Sequence, residues 1–330
     1  MSIWTTLLLF LAGFVIIAKG GDWFVDAAVW IANRTGVPRP IIGATVVTFA
    51  TSLPELMVSG TATLRGSTDI ALGNAIGSVI CNLGLVLGVL VFFSPKQMPS
   101  NAYRSKSVFL LGASLLTLFL GRNGHLSSGE GLLMLAGFTL FIVYNVRQAL
   151  SSSQNGEDVL PMPNQPVPSQ ILRFLGGATF ILAGAQLLVV NGETLARHFG
   201  VPEQIISLTL IALGTSLPEL VTAVSSILKK EYGLSVGNVL GANVFNLLMV
   251  LGLSSVLSPV GLPFSLQTFR WAGTVRLVPQ TLVFDLPAAL VLILISCVPF
   301  LLHRNLNRIH GLLLLAGYAT YLGTLLFLFL

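Results

Sequence analysis

The chain is poor in charge. Asp, Glu, Lys and Arg make up 9% of its 330 residues, against 54% apolar residues and a mean hydropathy of +0.88. Soluble domains carry about 25% charged residues, and a core surrounded by water cannot hide this much apolar surface. Lipid is therefore the solvent for most of the chain. Cysteine is nearly absent. Cys81 and Cys297 each lie inside an apolar run, which excludes a disulfide framework, a zinc-ligand spacing and a redox pair. Histidine is scarce, at four residues, and none falls in the middle of an apolar run. The first apolar run follows Met1 and Ser2 with no basic stretch before it and no small-residue cleavage site, so it reads as a retained helix and not a signal peptide. The net charge of +5 belongs to the segments between apolar runs, where it sets orientation in a membrane. It is not the footprint of a nucleic-acid surface.

Apolar runs of spanning length, about 20 residues, fall near 2–19, 40–64, 70–93, 106–121, 130–150, 171–191, 204–228, 234–257, 281–302 and 311–330. That predicts an all-α polytopic membrane protein of ten transmembrane helices. The second and seventh runs contain Thr-Ser-Leu-Pro, which predicts broken helices there. Ser151–Gln170, rich in Ser, Pro, Asn and Gln, reads as a linker between residues 1–150 and 171–330, with five helices in each. These halves are one unit twice. Residues 37–88 laid on 201–252 share 20 of 52 positions without a gap, including Thr51-Ser-Leu-Pro-Glu-Leu56, Gly73-Asn74, Gly77 and Asn82-Leu83.

Five is odd, so the second unit enters the membrane inverted. Lys and Arg, assigned to alternate sides, divide five (Arg65, Arg122, Arg197, Arg270, Arg276) to twelve. The twelve are Lys19, Arg34, Arg39, Lys96, Arg104, Lys106, Arg147, Arg173, Lys229, Lys230, Arg304 and Arg308. That bias places the linker in the cytoplasm and both termini outside. Inverted repeats with broken helices are the architecture of secondary transporters, whose site lies near the midplane between the repeats.

Of the twelve acidic residues only Glu55 and Glu219 sit well inside predicted spans; Asp285 is close to a helix start. A carboxylate at the bilayer centre costs roughly 2.5–3.5 kcal/mol even on the most lenient scale, and is kept only where it faces a partner or a cavity. Glu55 and Glu219 are repeat mates, so an in-plane two-fold axis brings them to a common centre. Thr51 shares a helix face with Glu55, Thr215 with Glu219, Ser78 with Asn82, and Ala242 with Asn246, each pair four residues apart. Carboxylates, amide oxygens and hydroxyls at one depth make an all-oxygen site suited to a hard cation. Two carboxylates balance one Ca²⁺ or two Na⁺, which is a physical basis for exchange. Pro54 and Pro218 break the helix just before each glutamate and free backbone carbonyls. Plainer readings stand beside these. Ser52-Leu-Pro-Glu55 also fits a capping box, and Asn82 and Asn246 also fit interhelical hydrogen-bond glue. The spacings Gly73/Gly77 and Gly237/Gly241 read as close helix packing. Asp22 and Asp26 read as interfacial or loop charges.

Two segments carry a family resemblance. Gly43-Ala-Thr-Val-Val-Thr-Phe-Ala-Thr-Ser-Leu-Pro-Glu55 with Gly73-Asn-Ala-Ile-Gly-Ser-Val-Ile-Cys-Asn82 resembles the first alpha-repeat of sodium/calcium exchangers. Leu213-Gly-Thr-Ser-Leu-Pro-Glu219 with Gly237-Asn-Val-Leu-Gly-Ala-Asn-Val-Phe-Asn246 resembles the second. The likeness covers essentially the whole chain and is strongest to compact microbial members, implying a prokaryotic plasma (inner) membrane. It implies two long tilted helices that slide past an eight-helix core. It also implies an ion-lining set of Thr48, Thr51, Ser52, Glu55, Ser78, Asn82, Ala212, Thr215, Ser216, Glu219, Ala242 and Asn246. In that set the glutamates hold both Na⁺ and Ca²⁺, the Thr48 and Ala212 positions give backbone carbonyls, and the hydroxyl residues complete Na⁺ sites. The archaeal pattern has Ser where this chain has Ala242 and Asp where it has Asn246. Asn in that second place also occurs in eukaryotic members. The expectation is that the flanking Na⁺ site beside Glu219 relies on the Ala212 carbonyl, Thr215 and the carboxylate.

The expected function is Na⁺/Ca²⁺ antiport, with Na⁺, Ca²⁺ and the lipid bilayer as partners. No cofactor, nucleic acid or obligatory protein partner is implied. Ca²⁺/H⁺ or K⁺-linked exchange is the alternative within transport, since a buried glutamate can carry protons. A passive channel needs a continuous pore lined by rings of ligands, which a two-copy inverted repeat around one site does not suggest. An enzyme is not expected: there is no H-E-x-x-H motif, and no mid-span His to act as a base.

Overall fold

The computed structural model describes residues 3–94, 100–153, 166–198, 212–271 and 274–329. Among the described residues seven helices are long and apolar enough to cross a membrane, and a bent pair makes an eighth candidate. Leu8, Val15, Leu132, Leu140, Leu312 and Phe327 are exposed on the outside, while Glu55, Asn82, Glu219 and Asn246 are buried inside. This inversion of the soluble pattern is the one a lipid solvent imposes.

Helix α1 (Ile3–Thr35) has 33 residues, far longer than the expected run 2–19. At 1.5 Å per residue it measures about 50 Å. The structure thus places Asp22 and Asp26 within a helix and not in a loop. Helix continues there because Phe24, Val25, Ala28 and Ala32 bury one face, while the two aspartates stay half exposed on another. Lys229 anchors them: its Nζ donates to the Asp22 carbonyl (2.6 Å) and to Asp26 Oδ1 (2.7 Å).

The bent pair is α2 (Arg39–Thr51) and α3 (Leu53–Leu64), inclined at 45°. Helix α4 (Thr68–Phe93) packs on α3. Helix α5 (Ser100–Leu120) begins before the expected run, so Lys106, expected as a loop charge, is buried within it. Helix α6 (Ser128–Ser153) closes the first half. Of the expected linker, residues 154–165 lie outside the described residues.

The second half opens with α7 (Val167–His198), which packs along α1. Small residues make that approach possible. A Cβ on Gly20 would come within 2.9 Å of the Gly177 carbonyl, and one on Gly184 within 3.0 Å of the Gly13 carbonyl. The expected span 204–228 is described from residue 212, as α8 (Ala212–Thr215) and α9 (Leu217–Lys229). Helix α10 (Tyr232–Leu257) follows, then α11 (Thr281–Leu301) packed on α5, and α12 (Arg308–Phe329) packed on α4. Helices α4 and α10 are the most deeply enclosed of the spanning helices. Helix α10 lies so close to α2 that Gly241 sits against Ala44 and Thr48, and Gly237 against Pro40. Gly73, by contrast, faces open space among the described residues. Its repeat-equivalent neighbours fall in 204–208, outside them.

The sequence reading contained no strands, yet the segment after α10 forms two short pairings. β1 (His125–Leu126) pairs antiparallel with β2 (Leu262–Pro263), and β3 (Leu266–Trp271) with β4 (Thr274–Pro279). The first pairing fixes the α5–α6 turn and the post-α10 segment on the same end of the molecule. Arg39 and Glu231 form a 2.6 Å ion pair between the starts of α2 and α10. Burial pushes the Glu231 carboxyl above its ordinary range, and the Arg39 charge draws it back.

Candidate cation site

Both broken helices break at a serine. Ser52 (φ −93°, ψ 10°) and Ser216 (φ −87°, ψ 2°) leave the helical region, and Pro54 and Pro218 restart the chain as α3 and α9. Proline has no N–H, so the carbonyls of Ala50 and Gly214 lose their usual donors. Glu55 and Glu219 are each the third residue after the break and are fully buried. Neither serine side chain caps its helix. The Ser52 hydroxyl instead crosses to the other half and donates to Glu219 Oε1 at 2.9 Å. The capping-box reading is therefore not realised, and the two breaks meet.

The hydroxyls pair across the halves. Ser78 Oγ lies 3.3 Å from Thr215 Oγ1, and the Thr51 hydroxyl joins Ser52 beside Glu219. The hydroxyls at the Glu219 carboxylate thus come from the first half, and Thr215 meets Ser78. Thr48 Oγ1 donates within a cluster formed by the Gly43 carbonyl (3.0 Å) and the Asn238 carbonyl and Oδ1 (both 3.1 Å). Its own carbonyl already accepts the Ser52 N–H at 2.8 Å and retains one lone pair. Ala212 is the first residue of α8, and Ala242 is buried in α10.

Two amides that the sequence reading did not assign to the site hold it together. Asn74 Nδ2 donates to the Glu55 carbonyl (3.2 Å) and Ser59 Oγ (2.9 Å), while its Oδ1 accepts from Thr215 (3.1 Å). Asn238 Nδ2 donates to Thr222 Oγ1 (3.3 Å), which itself donates to the Glu219 carbonyl (2.9 Å). Asn238 Oδ1 accepts from Thr51 at 3.3 Å. The signal was present in the repeated Gly-Asn, eight residues before Asn82 and Asn246 on the same helix face.

A set of buried polar atoms is left without a well-formed protein hydrogen bond among the described residues. It comprises both carboxylate oxygens of Glu55, which have Ser78 beside them, Glu219 Oε2, Ser216 Oγ beside Cys81, and the amide atoms of Asn82 and Asn246. Among the described residues, neither asparagine side chain makes an interhelical hydrogen bond. Each lies at the start of a π-helical turn, Asn82–Leu87 and Phe245–Val250, a local widening common at functional sites. Neither glutamate has an ion pair among the described residues. An unsatisfied buried polar group costs about 1–3 kcal/mol, more if charged, and a cation among these atoms would offset that cost. Among the described residues no cluster of three or more His, Cys, Asp or Glu exists, so the donors are two carboxylates plus neutral oxygens. That set suits a hard cation.

Comparison with known proteins agrees with this chemistry. The chain is 35% identical over 317 residues to the putative antiporter CaxA of Alkalimonas amylolytica, covering 94% of this chain and 95% of that protein. It is 35% identical over 258 residues to the inner membrane protein YrbG of Escherichia coli, covering 76% and 79%. It is 28% identical over 359 residues to the sodium/calcium exchanger MaX1 of Methanosarcina acetivorans, covering 97% and 98%. Among solved structures, the sodium-calcium exchanger NCX_Mj soaked with Na⁺ and Sr²⁺ superposes with a TM-score of 0.81 at 27% identity, over 98% of this chain and 99% of that one. The family model described as sodium/calcium exchanger protein matches residues 5–147 and 169–327. With nearly the full length matched and two buried glutamates at the meeting of two broken helices, this integral membrane protein belongs to the sodium/calcium exchanger family.

Proposed function

We propose that the protein is a secondary antiporter that exchanges Na⁺ for Ca²⁺ by alternating access, through ten spans arranged as two inverted five-helix repeats. The observation that carries this reading is the set of unpartnered oxygens around Glu55 and Glu219, at a place where both repeats contribute. Two carboxylates neutralise one Ca²⁺, and Na⁺ replaces it on the same oxygens and on flanking hydroxyls and carbonyls.

The contacts support the two-fold arrangement. Gly20 and Gly184 are 164 residues apart, as are Gly13 and Gly177, and the cross pairs Gly20–Gly177 and Gly13–Gly184 meet. The packing of α6 on α10 is mirrored by α12 on α4. The two longest helices, α1 and α7, form the pair that slides, because their mutual interface is continuous while their grip on the rest is local. With Lys106 inside α5, the charge bias is eleven to five, and it still favours a linker in the cytoplasm of a prokaryotic cell with both termini outside.

The test is ⁴⁵Ca²⁺ uptake into proteoliposomes with Na⁺, K⁺ or H⁺ gradients imposed one at a time. Uptake driven by an outward Na⁺ gradient is expected. Glu55→Gln and Glu219→Gln should each abolish it while leaving a folded protein, since one remaining carboxylate half-neutralises Ca²⁺. Wild-type uptake in either folded variant, or coupling to H⁺ or K⁺ alone, would overturn the reading.

A further inference from the structure

We infer that Asn74 and Asn238 are positioning residues that turn the Thr215 and Thr51 hydroxyl lone pairs towards the bound cation, each acting across the boundary between the two halves. The inference rests on the exchange reading and names groups outside the expected ligand set.

The geometry is reciprocal. Each amide nitrogen is tied to the turn that carries its own half's glutamate, directly at the Glu55 carbonyl or through Thr222 at the Glu219 carbonyl. Each amide oxygen takes the hydroxyl hydrogen of the other half's threonine, Thr215 for Asn74 and Thr51 for Asn238. Both asparagines are buried, so water does not compete for these bonds.

A threonine hydroxyl has one hydrogen and two lone pairs. The Thr51 hydroxyl lies within reach of two acceptors, the Glu219 carboxylate and Asn238 Oδ1. When Glu219 holds a cation, a hydrogen aimed at that carboxylate is repelled. Asn238 then takes the hydrogen and leaves the oxygen's lone pairs facing the ion. Without the amide, the hydrogen is released to turn to the carboxylate that the cation needs, and the threonine then opposes binding. Asn238 Oδ1 has a second lone pair, which Thr48 can use. The equivalent of Thr48 in the second half is Ala212, so Asn74 has no such second hydroxyl from that position.

The prediction is read by double-mutant cycles on the half-saturation concentration for Ca²⁺ in Na⁺-driven exchange. A hydrogen bond that orients a ligand of a charged group is expected to be worth about tenfold, so Asn238→Ala and Thr51→Val should each weaken Ca²⁺ by about that factor. If Asn238 acts through the Thr51 hydroxyl, the double variant is no weaker than either single one by more than about twofold. Thr51→Ser keeps the hydroxyl and should recover most of the affinity that Thr51→Val loses. Pairing Asn238→Ala with Thr215→Val should multiply the two effects, because Thr215 is bonded to Asn74 and Ser78 whereas Asn238 is bonded to Thr51, Thr48 and Thr222. The mirror cycle, Asn74→Ala with Thr215→Val, is a second test should the first set fail to fold in thermal unfolding assays. Multiplicative effects in the cross-half pairs, or coupling that follows the same-half pairs, overturn the inference. A wild-type protein with no Na⁺-driven Ca²⁺ uptake would overturn the exchange reading instead.

Discussion

Ala242 shows how one side chain bears on ion balance. Its repeat mate Ser78 meets Thr215, so a serine at 242 would present its hydroxyl to the Thr51 side, beside Glu219. On the exchange reading proposed above, Na⁺ bound there would lack one hydroxyl ligand, and Ala242→Ser should strengthen Na⁺ competition a few-fold, as about one hydrogen-bond-sized ligand contributes. The Na⁺ dependence of Ca²⁺ efflux from proteoliposomes at clamped voltage measures this. An unchanged Na⁺ affinity would remove Ala242 from the border of a Na⁺ site. Asn246 has a second consequence. As a neutral amide it leaves the central charge at −2 whenever both glutamates are ionised, so three Na⁺ make the occupied site +1 and one Ca²⁺ makes it neutral. Exchange should then carry charge on the Na⁺-loaded step and respond to voltage. Voltage-independent exchange would mean two Na⁺ per Ca²⁺.

Among the elements, α1 has the most to do besides spanning. Gly21 sits against Val221 and Ser225 of α9, and Lys229 at the end of α9 holds Asp22 and Asp26. This contact pins one end of the α1–α7 pair to the core. The charges are partly exposed, so the tie is worth roughly 0.2–1 kcal/mol and biases the position of the pair without locking it. Lys229→Met should therefore speed cytoplasmic-side labelling of a Ser225→Cys thiol by about 1.4- to fivefold, the equivalent of that energy, while exchange continues. A labelling rate that does not change would show that the tie does not hold the pair. Neither the length of α1 nor this contact could be read beforehand. The two aspartates break the apolar run, and only the core packing of Phe24, Val25 and Ala28 shows why helix continues past them.

At the scale of the whole molecule, orientation follows from the parity of the spans. The β1–β2 pairing puts the α5–α6 turn and the segment after α10 on one end, which fits the parity of the proposed topology. Three proposed spans separate Ser151 from Val260, both exposed positions, and the native Cys81 and Cys297 are buried. An impermeant thiol reagent should reach Ser151→Cys only from the cytoplasm and Val260→Cys only from outside. Labelling of both from one face would make the helix count wrong by an odd number.

The sequence by itself determined the lipid solvent, the duplicated unit, the two breaks and the paired glutamates. These depend on composition, on residues repeated at a fixed interval, and on proline, whose effect on a helix is local. Tertiary structure alone decided which groups face each other. Sequence spacing relates residues along one helix, whereas the site is made by helices from different halves. Hence spacing relates Thr215 to Glu219, four residues away, while only the structure shows that it meets Ser78 and Asn74, and that the Ser52 hydroxyl reaches Glu219 across the halves. The π-helical turns at Asn82 and Asn246 and the burial of Lys106 have the same origin, in contacts between segments far apart in the chain.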